Sequence, residues 1–222
     1  MQHPDYNSAN YQNDISILEL DQALQLTAYP NIKPICLPAS GTTYPNSTAT
    51  VSGWGTLSSA GNLVVHLNEV DVTVFADGDC GSMNSYMSSD MLCAGVKEGG
   101  QDSCQGDSGG PLFTSDPANN GAKTLIGVVS WGFGCAAADQ LGIYAEVAHF
   151  RGYIDSILPD MNTCGPPHGS ELTNSPTTEA STTTSPPFTS SPIPNTSSTS
   201  RFGNYVFPFI FASIAIIPYF NF

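Results

Sequence analysis

The chain has 222 residues, of which only 11% are charged, and it carries a formal net charge of −14. This length is enough for one or two domains. With five Lys and Arg residues in total, so acidic a chain is a poor ligand for nucleic-acid phosphates, and the composition excludes a nucleic-acid partner.

Cysteine usage and glycosylation motifs indicate an oxidising compartment. The six cysteines contain no C-x-x-C pair, so they predict disulfides rather than a zinc or redox site, and no metal or organic cofactor is implied. Two glycosylation sequons begin at Asn46 and Asn195. The first residues lack a basic start, an apolar run and a cleavage site, so the sequence predicts a secretory chain whose beginning is missing.

Several segments of the first 163 residues have the patterns of regular structure. Residues 14–20 predict a strand with Ile15, Ile17 and Leu18 buried. Valines alternate with polar residues over positions 69–74, which predicts a half-buried strand. Residues 77–87 predict a short helix, and residues 149–158 predict a terminal helix with one apolar face. Residues 111–113 and 125–132 predict buried strands.

A serine in a glycine-rich turn is the strongest chemical signal. The segment Asp102–Pro111 contains Ser108 together with Gly106, Gly109 and Gly110. Glycines allow a turn to expose one side chain and to aim several N–H groups at one point. Acyl transfer needs such a nucleophile and such donors. The alternative interpretation of a bare Gly-Asp-Ser-Gly is a surface turn.

The whole decapeptide resembles the active-site segment of the trypsin-like (chymotrypsin-family) serine proteases. Ser52–Gly55 matches the family's S-G-W-G strand, and Asp14–Leu18 resembles the segment that carries the triad aspartate. The resemblance implies an all-β, chymotrypsin-like double Greek-key β-barrel, with the second barrel complete, the first barrel partial and a helix at the C-terminal end. It implies a serine endopeptidase acting on protein and peptide substrates.

The resemblance also implies a role for each matching residue. Ser108 would be the nucleophile, and Asp14 would orient the catalytic histidine. The N–H groups of Gly106 and Ser108 would form the oxyanion hole. Asp107 would pair with the N-terminal ammonium group that zymogen cleavage creates. Asp102 would lie at the base of the specificity pocket, where a carboxylate favours Lys or Arg.

Further family positions follow the nucleophile. Ser130, Trp131 and Gly132 resemble the pocket wall, whose backbone aligns the substrate as an added strand. Gly132 and Gly142 would leave that pocket open to a long side chain.

The resemblance also implies a pattern of disulfides. It pairs Cys80 with Cys93 and Cys104 with Cys135. It implies that Cys36 pairs with a cysteine of a propeptide. Cys164 has no position in the family pattern, so a Cys36–Cys164 bridge is an alternative.

The composition changes towards the C-terminal end. Residues 164–204 are rich in Ser, Thr and Pro, which predicts a disordered, mucin-like stalk after a protease domain at residues 1–163. Residues 205–222 are strongly apolar, and three interpretations compete: a GPI-attachment signal, a transmembrane anchor, and neither. The first is favoured because small residues and a polar spacer precede the apolar run.

No histidine of the sequence lies in the family's catalytic setting. His3, His66, His149 and His168 each have the context of a surface or packing residue. Two classes of function therefore remain open: a cell-surface protease whose histidine is absent from this sequence, and a non-catalytic protease homologue that binds basic segments. A third possibility is a short isoform with neither activity nor a stable fold.

Overall fold

A closed antiparallel barrel is the main element of the described part of the chain. The computed structural model describes residues 1–22, 25–29 and 31–159. Around the barrel the strand order is β1-β2-β3-β6-β5-β4. This confirms the complete second barrel predicted from the sequence. In chain order the strands are β1 Thr48–Gly53, β2 Asn68–Val74, β3 Met91–Gly95, β4 Pro111–Asp116, β5 Ala122–Trp131 and β6 Gly142–Glu146.

The alternating valines of β2 determine which face of this strand enters the barrel. Val72 and Val74 are buried, whereas Glu69 and Asp71, at the alternate positions, are exposed. Side chains alternate across a strand, so one face of β2 packs inside while the other meets solvent. The register with β1 places Ala49 opposite Val72, so the buried positions of both strands share one core.

The segment before the barrel is held against it by apolar side chains. Ile15 and Ile17 are buried in a cluster with Val128 of β5 and with Phe150, which precedes helix α1, Arg151–Ile157. The predicted terminal helix is confirmed. The segment makes an isolated bridge between Gln2 and Ser16 rather than a long strand.

The prediction that Leu18 is buried is wrong. Its side chain is 50% exposed, while those of Ile15 and Ile17 are at most 2% exposed. The physical reason is the two-residue period of extended backbone, which turns Leu18 to the face opposite Ile15 and Ile17.

The predicted helix at residues 77–87 is instead two short 3-10 helices. They span Asp77–Asp79 and Gly81–Tyr86. A further short 3-10 helix, Leu26–Ala28, lies near the start of the chain, and another, Pro117–Asn119, follows β4. Gly81 has a φ of +62°, which no helix tolerates in its interior, so the first helix ends before it.

Other predictions fall on residues that the structure does not describe. Cys164, the sequon at Asn195, the stalk and the apolar tail all lie outside the described ranges. Within those ranges, no helix combines the length and the apolar composition needed to cross a membrane.

Glu146 at the end of β6 makes the fold sensitive to pH. Burial, with the nearby charges of Asp77 and Asp90, raises the pKa of its carboxyl to about 7. The unfolded chain releases this proton at lower pH, so stability falls as the pH rises towards 7 and stays lower above it. We expect Glu146→Gln to raise the free energy of unfolding at pH 8 by about 1 kcal/mol, after allowing for solvent screening.

Urea unfolding at pH 4.5 and pH 8 measures this effect. At pH 4.5 the variant and the natural protein should unfold at nearly the same urea concentration, since both carry a neutral residue 146. Glu98→Gln, which changes an exposed acid, is the control and should not shift the pH 8 midpoint in this way. A Glu146→Gln protein that gains nothing at pH 8 would contradict the prediction.

Candidate active site

Strand β5 holds the turn that carries Ser108. The N–H of Gly109 donates to the carbonyl oxygen of Val129 at 2.9 Å, and the N–H of Val129 donates to the carbonyl oxygen of Gly110 at 3.0 Å. Gly109 has a φ of +80°, a conformation that favours glycine. Ser108 is exposed, so its hydroxyl faces solvent from a turn pinned to the barrel.

Ser130, which follows Val129 in β5, holds the side chain of Asp14. The register between β5 and β6 shifts by one residue between Val129 and Trp131, which makes Ser130 the extra residue of a β-bulge. A bulge re-aims the side chain of the extra residue. The Ser130 hydroxyl donates to Asp14 Oδ2 at 2.6 Å, and both side chains are buried. Adjacent residues of β5 thus hold the predicted nucleophile turn and the predicted triad carboxylate.

The two predicted oxyanion-hole donors have no partner in the described part of the protein. The N–H groups of Gly106 and Ser108 make no hydrogen bond to any residue described by the structure. Gly106 has a φ of +98°, and a Cβ there would lie 2.5 Å from Leu63 Cδ2 and 3.1 Å from Gly55 Cα. Only glycine fits, and its N–H remains able to donate to another molecule.

Asp107 lies beside the strand that contains the S-G-W-G motif. Its two carboxylate oxygens accept the N–H of Gly55 at 2.8 Å and the N–H of Cys104 at 2.9 Å. A Cβ at Gly53 would lie 2.0 Å from Asp107 Oδ1, and one at Gly55 would lie 2.6 Å from it. The Asp107 carboxylate, more than fifty residues later in the sequence, therefore leaves room only for glycine at these two positions of the motif. The described residues contain one salt bridge, Arg151–Asp155, which does not involve Asp107.

Asp102 lines a recess of about 230 Å³ together with Asp107, Cys135 and Ala136 among others. Its carboxylate accepts the N–H of Ser103 at 2.8 Å and the N–H of Ala136 at 3.0 Å. Burial raises the pKa of Asp102 to about 6, the two hydrogen bonds oppose that rise, and the charge of Asp107 adds to it. A carboxylate in this position is ionised at neutral pH and has few partners, so it suits a cationic group.

Gly142 lies next to the Asp102 carboxylate, and Gly132 lies next to Gly142. A Cβ at Gly142 would lie 2.9 Å from Asp102 Oδ1, and one at Gly132 would meet nothing closer than 3.9 Å. At Gly142 even a methyl group would press on the carboxylate. At Gly132 a side chain would occupy open space facing Gly142. The lack of a side chain at Gly142 therefore leaves room for the Asp102 carboxylate.

Sequence reasoning missed a pair of hydroxyl groups near Asp102, those of Ser103 and Tyr144. The hydroxyl of Tyr144, on β6, lies 3.2 Å from Ser103 Oγ, and Tyr144 is completely buried. A Cβ at Gly142 would also lie 3.2 Å from that Tyr144 hydroxyl. In the sequence Tyr144 has only the pattern of a buried strand residue, so no local signal identified it.

Trp131 belongs to an aromatic cluster beside the bulge. Its ring is stacked on Tyr11 with centroids 5.9 Å apart, and Phe133 and Tyr86 meet it edge-on at 5.7 and 6.5 Å. Tyr86 and Phe133 are each at least half exposed. Tyr11 precedes Asp14 by three residues, so this cluster borders the Asp14 side of the site. Sequence reasoning identified only Trp131.

The described histidines make their contacts elsewhere. The His3 ring packs on Tyr153 and Phe150, with centroids 4.5 and 5.7 Å apart, and the His149 ring also packs on Phe150. His66 is exposed, and its carbonyl oxygen accepts a hydrogen bond from Asn68.

Two of the predicted disulfides are present in the described part of the protein. The structure contains the Cys80–Cys93 and Cys104–Cys135 disulfides, and the second joins the nucleophile segment to the loop before Gly142. Cys36 is not free either. Asn46 is exposed in the turn before β1. Within the described ranges, no three or more His, Cys, Asp or Glu residues form a group that could hold a metal ion.

Comparison with known proteins agrees with this geometry. The family model described as Trypsin matches residues 1–154. The chain is 44% identical over 156 residues to Trypsin-1 of Astacus astacus, covering 68% of this chain and 62% of that protein. It is 40% identical over 158 residues to Trypsin-3 of Salmo salar, covering 70% of this chain and 62% of that protein.

A third relative is much longer. Serine proteinase stubble of Drosophila melanogaster is 39% identical over 158 residues, which make up 68% of this chain and 20% of that protein. The chain thus spans less than two thirds of the length of each of these relatives. The family model nevertheless covers more than half of this chain, and the barrel has the fold that the family implies. The chain therefore belongs to the trypsin family of serine proteases.

Proposed function

We propose that the protein is a serine endopeptidase that cleaves peptide bonds after Lys or Arg. One observation carries the proposal: β5 fixes the Ser108 turn through Val129 and the Asp14 carboxylate through Ser130. Ser108 Oγ attacks the carbonyl carbon of the substrate, and its proton passes to a histidine that Asp14 orients. The N–H groups of Gly106 and Ser108 stabilise the oxyanion. The histidine then gives its proton to the leaving amine as the C–N bond breaks, and the acyl-enzyme remains.

The proposed general base is a histidine. No histidine of this sequence has the neighbouring residues that the family has around its catalytic histidine. We propose that another part of the protein supplies it. The rings of His3 and His149 pack on Phe150, and His66 is exposed. Water then hydrolyses the acyl-enzyme, with the same histidine as base. The proposed site uses no metal and no organic cofactor.

Substrate selection rests on Asp102 and on the glycines at positions 132 and 142. A Lys or Arg side chain passes between Gly132 and Gly142 and places its charge beside the Asp102 carboxylate. The backbone of Ser130–Gly132 aligns the substrate as an antiparallel strand. The acidic net charge of the protein favours basic segments of the substrate.

Asp107 provides a place for an activation switch. The recess that Asp102 lines also adjoins the Asp107 carboxylate; this cavity of about 230 Å³ is lined by Ser52, Gly53 and Gly55 among others. We propose that the ammonium group formed by zymogen cleavage enters this cavity and pairs with Asp107. The linkage of Cys36 to a propeptide remains a prediction, as does its alternative, a bridge to Cys164.

We place the protein outside the cell, glycosylated at Asn46 and Asn195 and attached through its apolar tail. The two disulfides support an oxidising compartment. A GPI anchor is the proposed attachment. Phosphatidylinositol-specific phospholipase should release the protein from intact cells, and retention at the surface would favour a membrane span instead.

A fluorophosphonate reagent tests the proposed chemistry, because it labels only an activated serine. The native protein, purified from cells at its full length, should be labelled at Ser108, and Ser108→Ala should not be labelled. A folded native protein without label would contradict the enzyme proposal. It would support the alternative of a non-catalytic homologue that binds basic segments.

The pKa of Asp102 predicts how a cationic ligand should bind. Benzamidine carries one positive charge, and the Asp102 carboxyl is mostly protonated at pH 5 because its pKa is about 6. We expect the dissociation constant of benzamidine to rise about tenfold from pH 8 to pH 5. Calorimetric titration at both pH values measures it. In Asp102→Asn, binding should be weak and nearly independent of pH, and equal pH dependence in both proteins would contradict the assignment.

A further inference from the structure

The residue before Asp14 has an unusual backbone conformation. Asn13 has a φ of +56°, in the left-handed region that few side chains adopt, asparagine more often than most. The N–H of Ile15 donates to the carbonyl oxygen of Asn13 at 2.8 Å, so the chain turns tightly around Asp14. Such a conformation persists where surrounding contacts hold it. The direction of the Asp14 side chain therefore depends on what holds Asn13.

A buried carboxylate from a distant segment holds it. The N–H of Asn13 donates to Asp90 Oδ2 at 2.5 Å, across 77 residues of sequence. Asp90 is 5% exposed, and its other carboxylate oxygen accepts the hydroxyl of Ser88. Its own carbonyl oxygen accepts the N–H of Glu146 at 2.9 Å, which fixes Asp90 to the end of β6. The barrel thus presents a charged acceptor to the backbone next to Asp14.

This arrangement is unusual for a buried acid. A carboxylate out of water is stabilised by its hydrogen bonds, and hydrogen bonds to a charged acceptor are about twice as strong as neutral ones. Here one of the two goes to a neighbour in the same segment and the other to Asn13. The nearby carboxyl group of Glu146 offers no positive charge to offset its own. The contact with Asn13 is therefore the one that links Asp90 to the candidate active site.

We infer that Asp90 is a positioning residue for Asp14, an inference that rests on the proposed function. Asp14 is then held at two points: its carboxylate by Ser130 of β5, and the backbone before it by Asp90. Loss of the Asp90 contact lets Asn13 relax towards a negative φ and turns the Asp14 carboxylate away from the histidine. Misplacement of a catalytic group by about 1 Å lowers the rate about a hundredfold.

Variants of the full-length protein test the inference. Asp90→Asn keeps an oxygen that can accept the Asn13 N–H but removes the charge, and Asp90→Ala removes the acceptor. We expect the rate constant of Ser108 labelling and kcat to fall about tenfold in Asp90→Asn and about a hundredfold in Asp90→Ala. KM and the dissociation constant of benzamidine should not change. Asp79→Asn, which neutralises an exposed acid, is the matched control.

Hydrogen exchange supplies a measurement that does not require activity. Amides in the peptide covering residues 11–17 should exchange faster in Asp90→Asn than in the natural protein, while peptides from β5 and β6 stay unchanged. If Asp90→Asn fails to fold, Ser88→Ala weakens the position of the same carboxylate and should show a smaller change of the same kind.

Each outcome bears on the inference. Labelling and exchange at natural rates in Asp90→Asn would overturn it. A general rise in exchange, with loss of benzamidine binding, would also overturn it, because Asp90 would then support the barrel as a whole. If the natural protein is not labelled, the proposed function fails. Exchange at residues 11–17 then decides separately whether Asp90 holds the turn around Asp14.

Discussion

Asp14→Asn is expected to lower kcat of the full-length enzyme by about four orders of magnitude. The amide oxygen can still accept the Ser130 hydroxyl, so the local fold should survive. The amide nitrogen, however, is a donor, and it favours the histidine tautomer that cannot take the Ser108 proton. Turnover of a Lys amide substrate measures the effect.

Two further variants, one with a smaller expected loss and one control, test the same assignment. Ser130→Ala removes the 2.6 Å hydrogen bond but keeps the charge of Asp14, and we expect about a tenfold loss of kcat. Asp21→Asn changes an exposed acid in the same segment and should leave kcat unchanged. An Asp14→Asn enzyme that retained a tenth of natural activity would exclude Asp14 from the triad.

Asp102→Ser is expected to lower kcat/KM for Lys and Arg substrates by about a thousandfold. The substrate cation would enter a partly buried recess without its carboxylate partner, at a cost of about 4 kcal/mol. Substrates with an apolar side chain at the same position should lose little or gain. The ratio of kcat/KM for paired Lys and Phe peptides measures the change.

The control for this variant is Asp139→Asn, an exposed acid in the loop between β5 and β6. Its Lys-to-Phe ratio should stay natural. If Asp102→Ser also kept the natural ratio, the specificity would have to come from another part of the protein, and the proposed preference for Lys and Arg would be wrong.

Periodicity and short motifs predicted the features that depend on a few consecutive residues, such as strands, helices and single site residues. The alternating valines of β2 and the apolar face of α1 predicted their elements correctly, because burial of one face follows from periodicity. The same rule was misapplied at Leu18, which cannot share a face with Ile17 in extended backbone. The motifs also located Asp102, Asp107 and Ser108 within one short segment.

Contacts between distant segments could not be predicted in the same way. The hydroxyl of Tyr144 lies by Ser103, the carboxylate of Asp107 fills the space over Gly53, and Asp90 reaches Asn13. In each case the two partners are separated by 41 residues or more, and neither has a local pattern that names the other. Such contacts can be identified only from the folded structure, in which the barrel brings the two partners together.

The bulge at Ser130 has a consequence for how such a protein can change during evolution. The ladder between β5 and β6 keeps one register up to Val129 and another from Trp131 onwards. Insertions or deletions after Trp131 alter the loop that reaches Gly142 without moving Ser130 or its bond to Asp14. Substrate preference can therefore diverge between descendants of one ancestor while the machinery for bond cleavage is inherited intact.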